Sequence, residues 1–246
     1  MKNIRSFNRK ENEMRPVEIK INANKYADGS CLIRFGDTTV MCTASIEEKV
    51  PTWMKGTHQG WITAEYGMLP RSTETRMERE AKKGQNGRTH EIQRLIGRAL
   101  RGCVDLSLLN NITIKLDCDV IQADGGTRTA SITGAFVALY LACQKLVRDK
   151  KIETFPITHF VAAISCGICE DTPLLDLDYI EDSNAQTDAN FVANELGQLI
   201  EIQATAERKN FLPEQFTKLL ELGIAGTQQL IKKQKEVLID LESLLK

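Results

Sequence analysis

The chain has 246 residues, of which 42% are hydrophobic and 26% charged, and this composition suits one large globular domain or two small ones with a buried core. Its net charge of −1 excludes a globally basic nucleic-acid-binding protein, so contacts to nucleic acid would need a local basic patch. No run approaches about eighteen uninterrupted apolar residues, and residues 1–8 are too polar for a secretory signal. We therefore expect a cytoplasmic protein with no membrane partner.

The cysteine pattern indicates reduced core residues. Seven cysteines are scattered through apolar segments, and an odd number in a chain of this length does not indicate a disulfide framework. Cys166 and Cys169 have the spacing of redox and zinc motifs, but they lie in an apolar run typical of a buried strand. No second cysteine pair or histidine lies near them in the sequence. We interpret them as part of a strand.

The first predicted element is a β-hairpin, followed by a basic loop. Residues 31–35 and 39–45 are β-prone runs joined through Gly36-Asp37, which suits the positive φ of a tight turn. The polar stretch 72–87 lacks periodicity, so we predict a mobile loop there. It lies in a segment with six cations and three acids, which on charge alone is more often a solvated loop than a nucleic-acid contact. The cations are Arg71, Arg76, Arg79, Lys82, Lys83 and Arg88.

A helix, a strand and a second helix are predicted next. Apolar positions recur at helical spacing from Ile92 to Cys103, with Thr89 as the candidate N-cap. Residues 111–121 alternate between apolar and polar, as a half-buried strand does. Helical spacing returns between residues 132 and 146.

The second half of the chain predicts three strands and a closing helix. The strands are placed at residues 160–169, 174–179 and 199–206. The helix begins at about Glu214 and continues to Leu245, and Pro213 suits its first position. No linker or fixed-period repeat divides the chain. We predict a single α+β domain over residues 1–246, in which two structurally similar halves are possible.

A glycine-rich segment, Gln122–Gly134, stands between the alternating strand and the second helix. A helix N-terminus leaves unpaired N–H groups and a partial positive charge, and two adjacent glycines let the backbone approach a ligand. Thr127 and Thr129 add hydroxyl donors, and Arg128 adds a planar fork that matches two phosphate oxygens. The segment predicts an anion site. From sequence alone, a glycine turn with a capping threonine and a solvent-exposed arginine is an equally good interpretation.

Other features refine that hypothesis. The segment is neither a Walker A sequence nor a dinucleotide fingerprint, so neither ATP nor NAD is indicated. Arg88 begins the other core helix beside a glycine, and it could reach the same anion if the two helix starts converge. No serine-hydrolase elbow or zinc-protease motif is present, and the three histidines are dispersed.

Residues 175–190 carry five carboxylates after a predicted strand. Mg²⁺ takes one or two protein carboxylates and leaves its other positions to water and substrate phosphates, so a pair such as Asp182 and Asp188 is sufficient. A solvated acidic turn with capping interactions is the more common explanation of an isolated acidic loop.

Four segments taken together resemble the ribonuclease PH family, phosphate-dependent exoribonucleases that trim transfer RNA 3' ends. They occur in the family's order and the resemblance spans most of the chain, from about Arg15 to the closing helix. It implies a ribosomal protein S5 domain 2-like fold of two βαβα-type halves, assembled as a hexameric ring built from dimers. The four segments are residues 60–71, 87–98, 116–134 and 175–183.

The resemblance also implies roles for individual residues. It implies a phosphate site at Arg88, Gly126, Thr127 and Arg128, with Arg128 also catalytic. It implies an acidic pair, Asp182 and Asp188, for Mg²⁺ or Mn²⁺ binding and proton transfer. It implies RNA holding and support of ring assembly at Arg71, Arg76 and Arg79, so in this context we interpret the basic segment as an RNA contact.

The implied reaction is reversible phosphorolysis. Inorganic phosphate, the co-substrate, attacks the last phosphodiester of RNA and releases a nucleoside diphosphate, and excess diphosphate drives nucleotide addition. Two alternatives remain. One is an RNA-binding structural subunit, as in related ring complexes such as the archaeal exosome that contain inactive family-like chains. The other is a metal-dependent hydrolytic nuclease, which would release monophosphates and ignore added phosphate.

The sequence departs from the family pattern at a few positions. Phe7-Asn8 stands where the family has Asp-Gly, while Arg5, Arg9 and Arg15 remain. Ala204 and Arg208 replace glycines, and either would be strained if the backbone there needed a positive φ. None of these changes removes a residue to which the resemblance assigns chemistry.

Overall fold

Two β-sheets enclose a long central helix in the computed structural model, which describes residues 5–82 and 84–244, with side chains up to residue 238. Lys83, Leu245 and residues 1–4 of the polar opening lie outside the described residues. The first sheet has the order β1-β2-β3-β5-β4. Its strands are β1 (Val17–Ile21), β2 (Gly29–Phe35), β3 (Thr38–Glu47), β4 (Trp61–Met68) and β5 (Thr113–Gln122).

The second sheet is antiparallel and has the order β7-β6-β8-β9. Its strands are β6 (Val161–Cys169), β7 (Thr172–Leu175), β8 (Thr187–Asn194) and β9 (Leu199–Ala206). The helices are α1 (Gly87–Arg101), α2 (Thr127–Arg148), α3 (Tyr179–Asn184) and α4 (Pro213–Leu244).

Several sequence predictions are confirmed. The hairpin forms between β2 and β3, with Gly36 at φ +55° in its turn. The third strand predicted for the second half is β9, and the closing helix begins at Pro213. All seven cysteines are free, and Cys166 is buried in β6, so the strand interpretation of the Cys-x-x-Cys pair is correct. In its described residues the predicted basic loop is irregular, apart from a short 3₁₀ turn at Glu80–Lys82 and Gly87, which begins α1; its mobility stays a prediction.

Three predictions were wrong in detail. The N-cap of α1 is Asn86, whose side chain accepts the Thr89 N–H, because the helix begins earlier than the apolar pattern indicates. The strand predicted to reach Tyr179 ends at Leu175, because the chain then turns into α3. Strand β8 was missed: its first residue and most of those after it are buried, but Asp, Asn and Thr side chains break its apolar pattern.

Helix α2 is buried because it packs against both sheets. It contacts β2, β3 and β5 on one side and β6 on the other. Thr133 exchanges hydrogen bonds of 3.1 Å with both backbone groups of Ala163 in β6. Among the described residues, α2 is the one helix long and apolar enough to cross a membrane, and most of its apolar stretch lies inside the fold. This pattern is typical of a core helix.

The helices that carry the predicted arginines both begin at one edge of the first sheet. Strands β4 and β5 pair in parallel, so their carboxyl ends, at Met68 and Gln122, lie side by side. Helix α1 packs on β4 and α2 on β5, and the two helices also contact each other. Each helix follows the strand on which it packs, so its N-terminus lies at the carboxyl edge, where open α/β sheets bind ligands.

A buried ion pair joins the N-terminal segment to the second sheet. The Arg15 side chain is fully buried and donates 2.7 Å and 3.0 Å hydrogen bonds to the two carboxylate oxygens of Asp176. It also donates to the carbonyl oxygens of Asp124 and Gly125, in the turn that precedes α2. One guanidinium therefore fixes the start of α2 against the segment that leads into α3.

Two more arginines complete what we call the arginine clamp, formed by Arg5, Arg9 and Arg15. Arg9 lies 3.2 Å from Glu181 and 3.5 Å from Asp178, and Arg5 also pairs with Glu181. The Phe7-Asn8 departure leaves the clamp in place. Both residues take a positive φ (61° and 55°), which is uncommon for phenylalanine, within a short turn that keeps Arg5 and Arg9 on the acidic segment.

We expect the Asp176→Ala change to lower the free energy of unfolding by about 3–5 kcal/mol, because it leaves the buried Arg15 charge without its partner. Urea unfolding at pH 7 measures this. The control is Glu18→Gln, which removes an exposed ion pair to Arg34 (3.4 Å) and should cost less than about 1 kcal/mol. Equal losses of unfolding free energy in the two variants would contradict the proposed contribution of the buried pair to stability.

Candidate phosphate and metal site

The turn that starts α2 is locked in a conformation that requires glycine. Gly125 and Gly126 have φ of +76° and +66°, and a Cβ on Gly125 would lie 2.6 Å from the Leu177 carbonyl oxygen. The Thr38 hydroxyl donates to the Gly125 carbonyl oxygen (2.6 Å) and accepts the Asp124 N–H (2.9 Å). These contacts fix the turn that precedes the first N–H groups of α2, the part of a helix that can bind an anion.

Thr127 and Thr129 in this turn differ in the hydrogen bonds that their hydroxyl groups make. The predicted donor Thr129 is buried and donates its hydroxyl to the Gly126 carbonyl oxygen (2.9 Å), so its proton is used within the turn. Thr127 lies 2.9 Å from the Tyr66 hydroxyl. The sequence analysis gave Tyr66 no role, although it is the last buried residue of β4 and lies in residues 60–71, one of the four family-like segments. Burial raises the pKa of Tyr66, while Thr127 and the charges of Arg88 and Arg128 act in the opposite direction.

Arg88 and Arg128, in the first turns of α1 and α2, act on one set of groups, because both charges lower the pKa values of Tyr66, Asp182 and Asp188. Arg88 is exposed in the first turn of α1. Glu80 accepts from the Asn86 side chain (2.6 Å) and the Thr89 hydroxyl (2.7 Å) and so fixes that turn. Arg128 is half-buried rather than fully solvent-exposed, and its Nη1 donates to the Gln203 side-chain oxygen (3.0 Å).

The predicted acidic pair lies within electrostatic range of both arginines. Burial raises the pKa of Asp182, and burial together with the charge of Asp182 raises the pKa of Asp188 to about 6. The charges of Arg88 and Arg128 lower both pKa values, whereas Glu207 raises both. Two partly buried carboxylates that repel each other beside two guanidiniums form a site with strongly coupled charges.

The five carboxylates of residues 175–190 divide into two groups. Three of them bind the arginine clamp, and Asp178 with Glu181 also forms a capping box on α3. The capping part of the acidic-turn interpretation is therefore correct for Asp178 and Glu181, whereas Asp176 is buried in its ion pair with Arg15. Asp182 and Asp188 remain for the site. Two carboxylates fit a Mg²⁺ or Mn²⁺ ion that keeps water and phosphate oxygens as its other ligands; the described residues include no cluster of three or more metal-ligating side chains.

The three arginines predicted to hold RNA lie in the irregular segment after β4, and all are exposed. The base of this segment is tied to the site, because the Ala123 N–H donates to the Ser72 carbonyl oxygen (2.8 Å) just before the α2 turn. The residues are Arg71, Arg76 and Arg79. The segment that carries these exposed arginines therefore starts next to the turn that precedes α2.

The positions at which glycine was expected are not strained. Neither Ala204 nor Arg208 has a positive φ. Ala204 pairs with Ala189 across β8 and β9, and Arg208 donates to the Ser183 carbonyl oxygen (2.8 Å). Both substitutions are compatible with the sheet and with the acidic segment beside it.

Solved structures share this architecture. Rice (Oryza sativa) Rrp46 is similar over 94% of this chain and 98% of its own, with a TM-score of 0.76 and 21% identity. A chain of the Archaeoglobus fulgidus exosome with RNA bound to the active site is similar over 94% of this chain and 92% of its own, with a TM-score of 0.79 and 22% identity. The α+β, ribosomal protein S5 domain 2-like fold with two halves is confirmed.

Family models and a sequence relative agree with the fold. The models of the 3' exoribonuclease family match in two parts, domain 1 over residues 13–144 and domain 2 over residues 159–226. The single domain over residues 1–246 stays a prediction, although the core around α2 is shared by both parts. Ribonuclease PH of Rhodospirillum rubrum is 54% identical over 97% of this chain and 100% of its own. The chain belongs to the 3' exoribonuclease family, ribonuclease PH type.

Proposed function

We propose that this enzyme shortens RNA from the 3' end, transfer RNA precursors included, by transferring each terminal nucleotide to inorganic phosphate. The observation that carries the proposal is that Arg88 and Arg128, in the first turns of α1 and α2, both act electrostatically on Asp182 and Asp188. The likeness of this chain to a relative named ribonuclease PH supports the same activity. Retention of both arginines and both aspartates favours an active enzyme over a structural RNA-binding subunit.

The basic half of the site binds and orients phosphate. The N–H groups of the first α2 turn, the Thr127 hydroxyl and the two guanidiniums offer donors to one dianion. A phosphate oxygen attacks the last phosphorus of RNA, a new P–O bond forms, and the bond to the 3' oxygen breaks. The products are a nucleoside diphosphate and RNA one nucleotide shorter. Because bound phosphate occupies the position from which a nucleophile attacks, water is excluded there.

The acidic half serves the leaving group. With its pKa raised to about 6, Asp188 keeps a protonated fraction near neutral pH and can donate to the departing 3' oxygen. Asp182 and Asp188 would also hold Mg²⁺ or Mn²⁺, which when bound offsets charge on the transferring phosphoryl group. The pair thus serves both proton transfer and metal binding.

The basic loop and a ring of subunits would help the enzyme to retain its RNA substrate. Exposed Arg71, Arg76 and Arg79 would hold RNA phosphates on the way to the site. Assembly as a hexamer, a trimer of dimers, would gather six such loops around one opening and raise the affinity for RNA. The seven free thiols suit the reducing cytoplasm in which we place the enzyme.

Product analysis tests the proposed reaction. RNA incubated with the enzyme should yield nucleoside diphosphates in proportion to added phosphate, and Arg128→Ala should lower this rate about 100-fold or more, because it removes a charged donor from the dianion. Arg34→Ala, on the exposed side of β2, is the control and should keep full activity. Monophosphate products independent of phosphate would establish hydrolysis instead, and RNA binding without any product would establish a structural subunit.

The raised pKa of Asp188 makes the free energy of unfolding depend on pH. The folded state holds the Asp188 proton more tightly than the unfolded state, so ionisation destabilises the fold as pH rises from 3.8 through about 6. Without metal, Asp188→Asn should therefore raise stability at pH 8 by up to about 3 kcal/mol, and the gain should disappear near pH 4. Urea unfolding in EDTA measures this.

The same variant tests metal binding. Added Mg²⁺ should raise the Tm of the wild type at pH 8 and leave that of Asp188→Asn nearly unchanged, because the variant lacks one of the two carboxylates. Asp171→Asn, an exposed partner of Lys209, should show no stability gain and a wild-type response to Mg²⁺. A variant that responds to Mg²⁺ as the wild type does would exclude Asp188 as a ligand.

RNA binding should weaken steeply with salt. Replacing Arg71, Arg76 and Arg79 by Ala should lower the slope of log affinity against log salt by about 2, since each single-strand phosphate contact contributes about 0.7. Fluorescence anisotropy between 50 and 300 mM salt, concentrations of the order at which such slopes are measured, provides the comparison. Replacing Arg148, Lys150 and Lys151 at the opposite end of α2 should leave the slope unchanged. An unchanged slope in the loop variant would contradict its RNA contacts.

A further inference from the structure

A hydrogen-bonded relay links the two helices that carry the phosphate-site arginines. Arg128 Nη1, on α2, donates to Gln203 Oε1 at 3.0 Å. Gln203 Nε2, on β9, donates to Glu91 Oε1, on α1, at 2.9 Å. Strand β9 is an edge strand of the second sheet, so the relay joins both halves of the molecule at the site. The sequence analysis assigned no role to Gln203 or Glu91.

We propose that Gln203 is a positioning residue for phosphate, which holds the Arg128 guanidinium in place without neutralising it. The proposal rests on the proposed phosphorolytic function. Only one orientation of the amide satisfies both neighbours, because a carboxylate such as Glu91 accepts and a guanidinium donates. Glu91 therefore fixes the carbonyl end of Gln203 toward Arg128.

The geometry determines which side of the guanidinium meets phosphate. A guanidinium presents five N–H donors in a fixed fork. With one Nη1 hydrogen bound to Gln203, the Nε and Nη2 edge is left for two phosphate oxygens. The same bond restricts rotation of a long, flexible side chain before phosphate arrives, and this preorganisation improves binding.

Because glutamine is neutral, its contact leaves the positive charge of Arg128 available to phosphate. Glu91 is a carboxylate within reach of this network, and direct contact with Arg128 would pair the two charges and weaken the attraction for a dianion. The Gln203 amide lies between Glu91 and Arg128 and forms one hydrogen bond with each of them. An acidic residue at position 203 would compete with phosphate for Arg128.

Steady-state kinetics of the full-length enzyme with varied phosphate tests the proposal. Gln203→Met keeps the length of the side chain and removes the acceptor, and it should raise the KM for phosphate about five- to tenfold. Gln203→Glu introduces the competing carboxylate and should raise it about tenfold or more. In both variants the KM for RNA, and kcat at saturating phosphate, should stay within about twofold of the wild type, as expected when binding of one substrate is affected.

A neighbouring residue provides the matched control. Glu201 also lies on β9 and pairs with Arg98 on α1 at 3.0 Å, without contacting Arg128. Glu201→Gln should leave the KM for phosphate unchanged, which separates positioning of Arg128 from loosening of β9 against α1. Thermal unfolding confirms that each variant is folded.

The outcomes separate this inference from the proposed function. Wild-type turnover that does not depend on phosphate would overturn both. Phosphate-dependent turnover with an unchanged KM in Gln203→Met and Gln203→Glu would overturn the positioning role alone. A rise of equal size in Glu201→Gln would assign the effect to the packing of β9 and likewise overturn it.

Discussion

The site depends on the buried ion pair between Arg15 and Asp176. These residues are 161 positions apart, and the pair lies where the turn before α2 meets the segment before α3. A buried charge is stable only with a well-placed partner and further hydrogen bonds, and Arg15 has these from the Asp176 carboxylate and two carbonyl oxygens. The same bonds bring the basic helix start and the acidic segment to one place.

The arginine clamp also sets the charge of the site. Five carboxylates in one short segment would repel one another and the phosphates of RNA. Three of them are paired with clamp arginines, and the repulsion that remains is concentrated on Asp182 and Asp188. Their raised pKa values are a cost to the folded state, and this kind of local destabilisation is found where a site is prepared for a cation and a proton.

Much of the fold could be predicted from local pattern, because α1 and β5 carry apolar periodicity that matches their burial. Strand β8 could not, since Asp188 and Asn190 interrupt its apolar run. The parallel neighbours β4 and β5 place the starts of α1 and α2 at one edge of the sheet, but their pairing is a tertiary property. The role of Tyr66 depends on one hydrogen bond and that of Gln203 on two, all between distant elements, which neither spacing nor composition reveals.

The central claim is that one anion lies between the starts of α1 and α2, opposite the acidic pair. A crystal structure of the protein with phosphate bound is the most direct measurement. The account predicts an anion within hydrogen-bonding distance of both the Arg88 and the Arg128 guanidinium and of the α2 N-terminus. Phosphate bound elsewhere, or the two guanidiniums facing opposite sides of the molecule, would contradict it.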